Sequence, residues 1–329
     1  MKTFEALFQQ FQHIKVGIIG DVMLDTYMWG HVERISPEAP VPIVLLDKRE
    51  LRLGGAGNVA LNIQALGAPA FVVSVIGDDD EAQKLAELFE RQQINSKYIV
   101  KSKQRITTNK TRIISRNQQM MRLDAEVTTD LQPADETTLI ELFKTFIVTE
   151  KPQVVILQDY NKGVLTERVI RNVISICKEA QVLTAVDPKR KNFFEFKGVD
   201  IFKPNQKEVR DALNMPFADV DETVLETIHR HLHAHLQHRI SFITLSDKGV
   251  FYQQDGQASL IPSHLRNVAD VSGAGDTVIA VAALVYGATN DIVLMAQMAN
   301  IAGGLVCEEV GTAAIDKSKL LHECTLLLS

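Results

Sequence analysis

Five short apolar runs recur along this chain, and each ends against polar or acidic residues. They are Val16–Ile19 before Gly20-Asp21, Phe71–Ile76 before Gly77-Asp78, Val154–Leu157 before Gln158-Asp159, Val182–Val186 before Asp187-Pro188, and Phe242–Leu245 before Ser246-Asp247. Runs this short, rich in β-branched residues and without apolar–polar alternation, describe strands buried on both faces. Amphipathic stretches with helical spacing separate them, at Asn58–Leu66, Glu81–Gln93, Pro133–Val148, Thr166–Glu179 and Asp221–Leu236. That alternation predicts an α/β fold with a mostly parallel sheet and helices on both faces. Open sheets of this kind bind ligands beyond the carboxyl ends of their strands, where the polar residues recur.

Two segments break the alternation. Asp25–Leu53 reads as extended around Val41-Pro42-Ile43-Val44-Leu45-Leu46, and Ile106–Leu123 reads as a hairpin turning at Arg116-Asn117-Gln118-Gln119. Together they predict a small separate β-sheet, a lid formed by about 22–53 and 105–124 and inserted in one domain spanning 1–329. Val41–Leu46 is too apolar to face water, so a two-fold homodimer packing lid on lid is expected.

With 329 residues, 46% of them hydrophobic, the chain can bury a sizeable core. A net charge of −6 argues against nucleic acid as a partner. No apolar run reaches the roughly 18–20 residues of a membrane span, and Met1–Glu5 lacks the order of a signal peptide. Cys177, Cys307 and Cys324 show no metal or redox spacing, and Cys177 and Cys307 read as buried free thiols. The expected location is cytoplasmic.

The chemistry concentrates in Ala269-Asp270-Val271-Ser272-Gly273-Ala274-Gly275-Asp276-Thr277-Val278. Glycine-rich backbone opening an apolar helix leaves N–H groups unpaired and pointing one way, and the helix dipole adds positive potential. Asp276 beside that anion site can take a proton from an attacking hydroxyl, which is what phosphoryl transfer to an alcohol requires. The bland alternative is a loop with an acidic helix cap.

Other motifs carry two readings each. Lys101–Arg122 holds seven basic residues and no acidic one, with Lys110, Arg112 and Arg116 on one strand face: an anion patch or a solvated edge. Gly55-Ala56-Gly57-Asn58-Val59-Ala60 fits a dinucleotide fingerprint, yet the charged stretch Asp47–Leu53 is no buried strand. Its glycines read instead as allowing close approach to a small polar ligand, with Asn58 opening a helix. Asn205 and Glu208 have the spacing of a capping box, or of a pair orienting magnesium through water. His229, His231, His233, His235 and His238 crowd one helix, whose default reading is a solvated face.

Taken in order, Gly54-Gly55 with Asn58, Asn205-x-x-Glu208 and Asp270-x-x-Gly273-Ala274-Gly275-Asp276 resemble the ribokinase-like (pfkB) sugar kinases over essentially the whole chain. Arg34–Pro42, Ser115–Gln119, Arg122-Leu123-Asp124 and Asp159-Tyr160-x-Lys162-Gly163 are similar to the heptose 7-phosphate kinases, often fused to a C-terminal nucleotidyltransferase. With the chain ending at Ser329, the expectation is a stand-alone kinase or one half of such a fusion.

The resemblance implies a ribokinase-like three-layer sandwich with a β-sheet lid. It implies ATP-dependent phosphorylation of D-glycero-β-D-manno-heptose 7-phosphate at C1, in lipopolysaccharide precursor synthesis. Asp276 would be the base, with the N–H groups of Gly273, Ala274 and Gly275 on the transferring phosphoryl group. Asn205, Gln206, Lys207 and Glu208 would serve the ATP and Mg²⁺ side, Glu208 holding magnesium via water, with Ser246, Asp247, Gly249 and Asn300 near the nucleotide. Asp21, Asp25, Gly54, Gly55, Asn58 and Asp159 would hold the sugar. Its phosphate would fall to cations drawn from Lys110, Arg112, Arg116, Lys162 and Lys189, with Asn117 beside Arg116. Asp270 would neighbour a monovalent cation such as K⁺, although this chain has Val271-Ser272 where much of the family has Thr-Thr or Thr-Gly. The alternatives are another sugar or nucleoside kinase of the family, fructokinase-like, and a non-catalytic sugar-binding protein.

Overall fold

The computed structural model describes residues 3–116, 118–215 and 221–328. The first part of the chain runs α1 (Phe4–Gln10), β1 (Val16–Gly20), β2 (Val22–Ile35), β3 (Pro42–Gly55), α2 (Ala56–Ala65), β4 (Ala70–Gly77), α3 (Asp80–Arg91) and β5 (Asn95–Ser102). There follow β6 (Asn109–Ser115), β7 (Gln118–Ala125), α4 (Pro133–Glu150), β8 (Val154–Gln158), α5 (Glu167–Glu179), β9 (Leu183–Asp187), β10 (Ile201–Phe202), α6 (Gln206–Leu213) and α7 (Glu222–Leu236). The last part holds β11 (Ile240–Thr244), β12 (Val250–Gln254), β13 (Gln257–Ile261), α8 (Ala274–Thr289), α9 (Ile292–Val306) and α10 (Lys317–Leu328).

Nine strands form the main sheet in the order β13-β12-β11-β10-β9-β8-β1-β4-β5. From β11 to β5 every pairing is parallel, and β12 and β13 add an antiparallel edge. Alternate residues of one strand feed two cores, as period-two geometry requires. Val154 and Ile156 pack with α1, α2, α8, α9 and α10, whereas Val155 and Leu157 pack with α4, α5 and α7. The result is three layers, helices–sheet–helices, as the alternation of short apolar runs and helices predicts.

The two irregular segments form a separate four-stranded sheet, β3-β2-β6-β7. β2 pairs antiparallel with β3 and parallel with β6, and β6 pairs antiparallel with β7. Ile35, Val41, Leu45, Leu46, Met121 and Leu123 leave this sheet exposed. β2 begins at Val22, the expected start, while β3 runs on to Gly55, β6 begins only at Asn109 and β7 reaches Ala125.

Four local expectations are corrected. A strand does lead directly into Gly55-Ala56-Gly57-Asn58, but β3 lies in the small separate sheet, paired antiparallel with β2, so the dinucleotide geometry is absent. Helix α2 starts at Ala56 with Gly55 as its cap, which puts Asn58 inside the first turn rather than at the cap. The histidine helix is not a wholly solvated face: His238, just beyond α7, is fully buried, and both it and His229 bond the Ser241 hydroxyl. Cys177 is buried as expected, while Cys307 is only half-buried. No helix is long and apolar enough to cross a membrane among the described residues.

Candidate active site

Helix α8 opens on Gly273, whose left-handed backbone (φ 82°) a side chain rarely adopts. A β-carbon there would also lie 2.8 Å from the Asn58 amide nitrogen. The turn has no side-chain cap. The Ala274 N–H reaches Val271 and the Thr277 N–H reaches Gly273, leaving the Gly275 and Asp276 N–H groups without a main-chain acceptor. A 16-residue helix thus presents unpaired N–H groups and its positive dipole end to one point, an anion hole.

That point faces the carboxyl ends of the parallel strands. Asp276 is 2% exposed. Its Oδ2 accepts from Asn58 Nδ2 at 2.8 Å. Its Oδ1 accepts from the Tyr160 hydroxyl at 2.7 Å and from Gln158 Nε2 at 3.0 Å. Burial pushes this carboxyl up to about 6, while the bonds from Asn58 and Tyr160 favour its charged form and hold the rise in check. A carboxylate with a value there is charged at neutral pH and still able to accept a proton.

Beside the anion hole lies a group of buried ions. Asp187, ending β9, holds Lys203 Nζ at 3.2 Å and Gln158 Nε2 at 3.2 Å. Lys189 Nζ bonds Glu208 at 2.5 Å, lies 3.5 Å from Asp187, and sits 5.5 Å from the centre of the Tyr160 ring. Burial disfavours the Lys189 charge, but Asp187 and Glu208 outweigh it and hold the group above the ordinary lysine value. Lys189 therefore ties the β9 end to helix α6, with both of its carboxylate partners in place. Lys203, Gln158 and Tyr160 escaped the sequence reading as site residues. The signal for all three was their place at or within two residues of a strand's carboxyl end: Gln158 ends β8, Tyr160 lies two residues beyond it, and Lys203 follows β10.

Asp21, the first residue after β1, accepts the backbone N–H groups of Tyr160, Lys162 and Val164 at 2.8, 3.0 and 3.1 Å. Its oxygens are thus committed to shaping the 160–164 loop. Burial pushes its carboxyl upward against those bonds. Next to it, Asp159 is 2% exposed, and burial with the neighbouring Asp21 pushes it up to about 7. Gly55 (φ 58°) closes this corner; a β-carbon there would lie 2.4 Å from the Asp21 carbonyl oxygen. Gly54 lies against Asp25, which bonds Arg112 at 2.6 Å.

The expected run of free cations is not free. Asp124 and Glu126, just beyond the basic stretch, hold Lys110 at 3.0 and 2.9 Å. Glu126 also holds Lys162 at 2.8 Å. Arg116 is exposed at the turn after β6, roughly 20 Å along the strand from Lys110 at about 3.3 Å per residue. It is not brought to the cluster. Asn117 lies outside the described residues.

Asn205 and Glu208 make the full capping box of α6, and Glu208's other oxygen takes Lys189. Gln206 is half-buried and Lys207 exposed. Asn205 bridges Thr244, the end of β11, so Ser246, Asp247 and Gly249 follow alongside. The Ser263 hydroxyl bonds the Asp247 carbonyl, and Asn300 Nδ2 bonds the Pro262 carbonyl at 2.8 Å. These residues form one continuous wall. Asp270 accepts from Ser272 through one oxygen and from Gly311 through the other, tying two loops together. Among the described residues no group of histidines, cysteines and carboxylates could hold a metal by itself.

A family model described as pfkB family carbohydrate kinase matches residues 14–319, and the chain belongs to that family of carbohydrate kinases. It is 36% identical over 322 residues to "Bifunctional protein HldE" of Geobacter sulfurreducens, covering 97% of this chain and 65% of that protein. It is 39% identical over 321 residues to the protein of the same name from a Caulobacter species, covering 97% and 64%. The chain thus spans less than two-thirds of those relatives. Among solved structures, phosphofructokinase-2 from Escherichia coli, in complex with substrates and products, superposes with a TM-score of 0.79 at 16% identity, covering 96% of this chain and all of that one. Ribokinase from Arabidopsis thaliana, complexed with ribose and ATP, gives 0.72 at 17% identity, covering 94% and 98%. Both likenesses are of fold.

Proposed function

We propose that this pfkB carbohydrate kinase transfers the γ-phosphoryl group of ATP to the C1 hydroxyl of D-glycero-β-D-manno-heptose 7-phosphate, giving the 1,7-bisphosphate for lipopolysaccharide precursor synthesis in the cytoplasm. The observation that carries the reading is the buried Asp276 carboxylate, held by three donors at the mouth of an uncapped helix. There a base and an anion hole serve one reacting centre. The heptose-kinase-like stretches and the similarity to HldE proteins support the substrate.

In this reading Asp276 removes the hydroxyl proton. The turn that opens α8 receives the transferring phosphoryl group through the Gly275 and Asp276 N–H groups, the expected Ala274 N–H being taken by the Val271 carbonyl, with Lys203 and Lys189 adding positive charge beside it. Asn205, Gln206, Lys207, Glu208, Ser246, Asp247, Gly249 and Asn300 form the nucleotide wall. Asp25, Gly54, Asn58 and Asp159 border the sugar; Asp21 and Gly55 shape that border. Of the five expected cations, Lys110, Arg112 and Lys162 would hold its phosphate, in exchange for the carboxylates they now meet. The small sheet acts as a lid within one domain spanning 1–329, and its exposed apolar face pairs two copies.

The oxygens of Glu208 and Asp187 beside the anion hole already take Lys189, Lys203, Gln158 and the Asn205 N–H, so these carboxylates would hold a magnesium ion only through its own waters, as a hard cation that stays hydrated allows. When bound, magnesium neutralises the β- and γ-phosphate oxygens. Asp270 does not by itself fit potassium, because both its oxygens already accept N–H or O–H groups.

A second reading, an unphosphorylated sugar or a nucleoside as acceptor, is favoured by the pairing of Lys110 and Lys162 with Glu126. Initial rates with ATP against heptose 7-phosphate, heptose, fructose, fructose 6-phosphate and nucleosides decide between them. A kcat/KM for heptose 7-phosphate at least a hundredfold above the rest supports the proposal. Equal values with and without the 7-phosphate overturn it.

A further inference from the structure

We infer that Tyr160 is a positioning residue for the base: with Gln158 it fills one oxygen of Asp276, so that the other, Oδ2, is the atom that accepts the sugar's proton. The inference rests on the reading of Asp276 as general base. A carboxylate oxygen offers two in-plane lone pairs. Oδ1 meets two donors, the Tyr160 hydroxyl at 2.7 Å and Gln158 Nε2 at 3.0 Å. Oδ2 meets one, Asn58 Nδ2 at 2.8 Å, which leaves it a lone pair. In the transfer step the hydroxyl proton passes to Oδ2 and the freed oxygen pair forms the new bond to phosphorus. The bond from phosphorus to the leaving oxygen of ADP breaks, and its pair stays on ADP.

The Tyr160 hydroxyl is bound to be a donor. Burial, the Asp276 charge and the Asp187 charge all keep it protonated, well above the usual tyrosine range. Its place is set by the protein rather than by ligand. The Asp21 carboxylate gathers the N–H groups of residues 160, 162 and 164, and Asp159 takes that of Asn161, which adopts φ 55°. Asp187 and Lys189 from the β9 end also face the carboxylate, Lys203 lies beside Gly275, and Asp25 of β2 bears on Tyr160. None of these charges is altered by removing the Tyr160 oxygen.

Tyr160→Phe keeps the ring near Lys189 and deletes only the donor. Losing a donor to the charged form makes the carboxylate easier to protonate, so the acid limb of the kcat–pH profile moves to higher pH by about one unit relative to wild type. The sugar KM stays within about twofold. Gln158→Met removes the other donor to Oδ1 and one donor to Asp187, whose charge Lys189 and Lys203 still hold, so the limb moves the same way and this variant supplies the test if Tyr160→Phe does not fold. An unmoved limb in the folded variants, while Asp276→Asn is inactive, overturns the inference and leaves the base reading standing. Near-normal turnover in Asp276→Asn overturns the base reading itself.

Discussion

The substitution Asp276→Asn tests the central claim at its most exposed point, because the structure says what the change does apart from chemistry. The oxygen of the new amide can stay on the Oδ1 side and accept from Tyr160 and Gln158. The amide nitrogen then faces Asn58, whose Oδ1 is buried without a partner. A flip of the Asn58 amide offers that oxygen as acceptor, so the pair is kept with donor and acceptor exchanged. The stability effect has a definite sign. Burial raises the wild-type carboxyl from 3.8 to about 6, so its contribution is complete below pH 3.8 and is lost as pH rises through about 6. The loss amounts to about 3 kcal/mol by linkage. A neutral amide carries no such penalty. Thermal melts of the variant should therefore fall less between pH 4 and pH 8 than those of wild type, and the variant should melt no lower at pH 8. Turnover should drop by roughly two to four orders of magnitude, the scale for a positioned base. Turnover within tenfold of wild type would refute the role of Asp276. A melting temperature several degrees below wild type at pH 8 would refute the argument that the site accepts the amide.

Four further outcomes are expected. Gly275→Ala adds a β-carbon whose nearest neighbours are Asp187 Oδ2 at 3.7 Å and Lys203 Nζ at 3.8 Å, so melting should hold while turnover falls at least tenfold as the anion hole fills; unchanged kcat places the phosphoryl group elsewhere. Glu208→Gln preserves most of the capping box but removes a charge, so the magnesium concentration for half-maximal rate should rise severalfold, whereas a shifted melting temperature with an unaltered titration leaves only the cap. Leu46→Asp on the exposed lid face should convert a dimer into a monomer in sedimentation at micromolar concentration, and a wild-type monomer there counts against lid pairing. Burial holds His238 down to about 3 and His229 to about 4, so the stability they contribute is present above pH 6.5 and is lost as pH falls toward those values; His238→Gln should flatten the acid side of the melting curve, and an unchanged slope would refute the assignment.

Much of the scaffold was legible in the chain. The apolar runs ending in Gly20-Asp21, Gln158-Asp159 and Asp187-Pro188 became β1, β8 and β9, because burial on both faces of a parallel sheet demands continuous apolar residues. The glycine turn before Asp276 was legible for a local reason too: its backbone opens α8 with no side-chain cap on the first N–H groups. What pairs with what was not. Glu126 lies outside the basic stretch and yet neutralises Lys110 and Lys162, because antiparallel pairing of β6 with β7 brings it alongside. Asn58 and Tyr160 are 218 and 116 residues from Asp276 in sequence, and meet it only because α2, the β8 end and α8 converge on one sheet edge. Local sequence sets backbone conformation and which faces are apolar. The partners of a buried charge are set by strand order and helix packing, which depend on contacts across the whole chain.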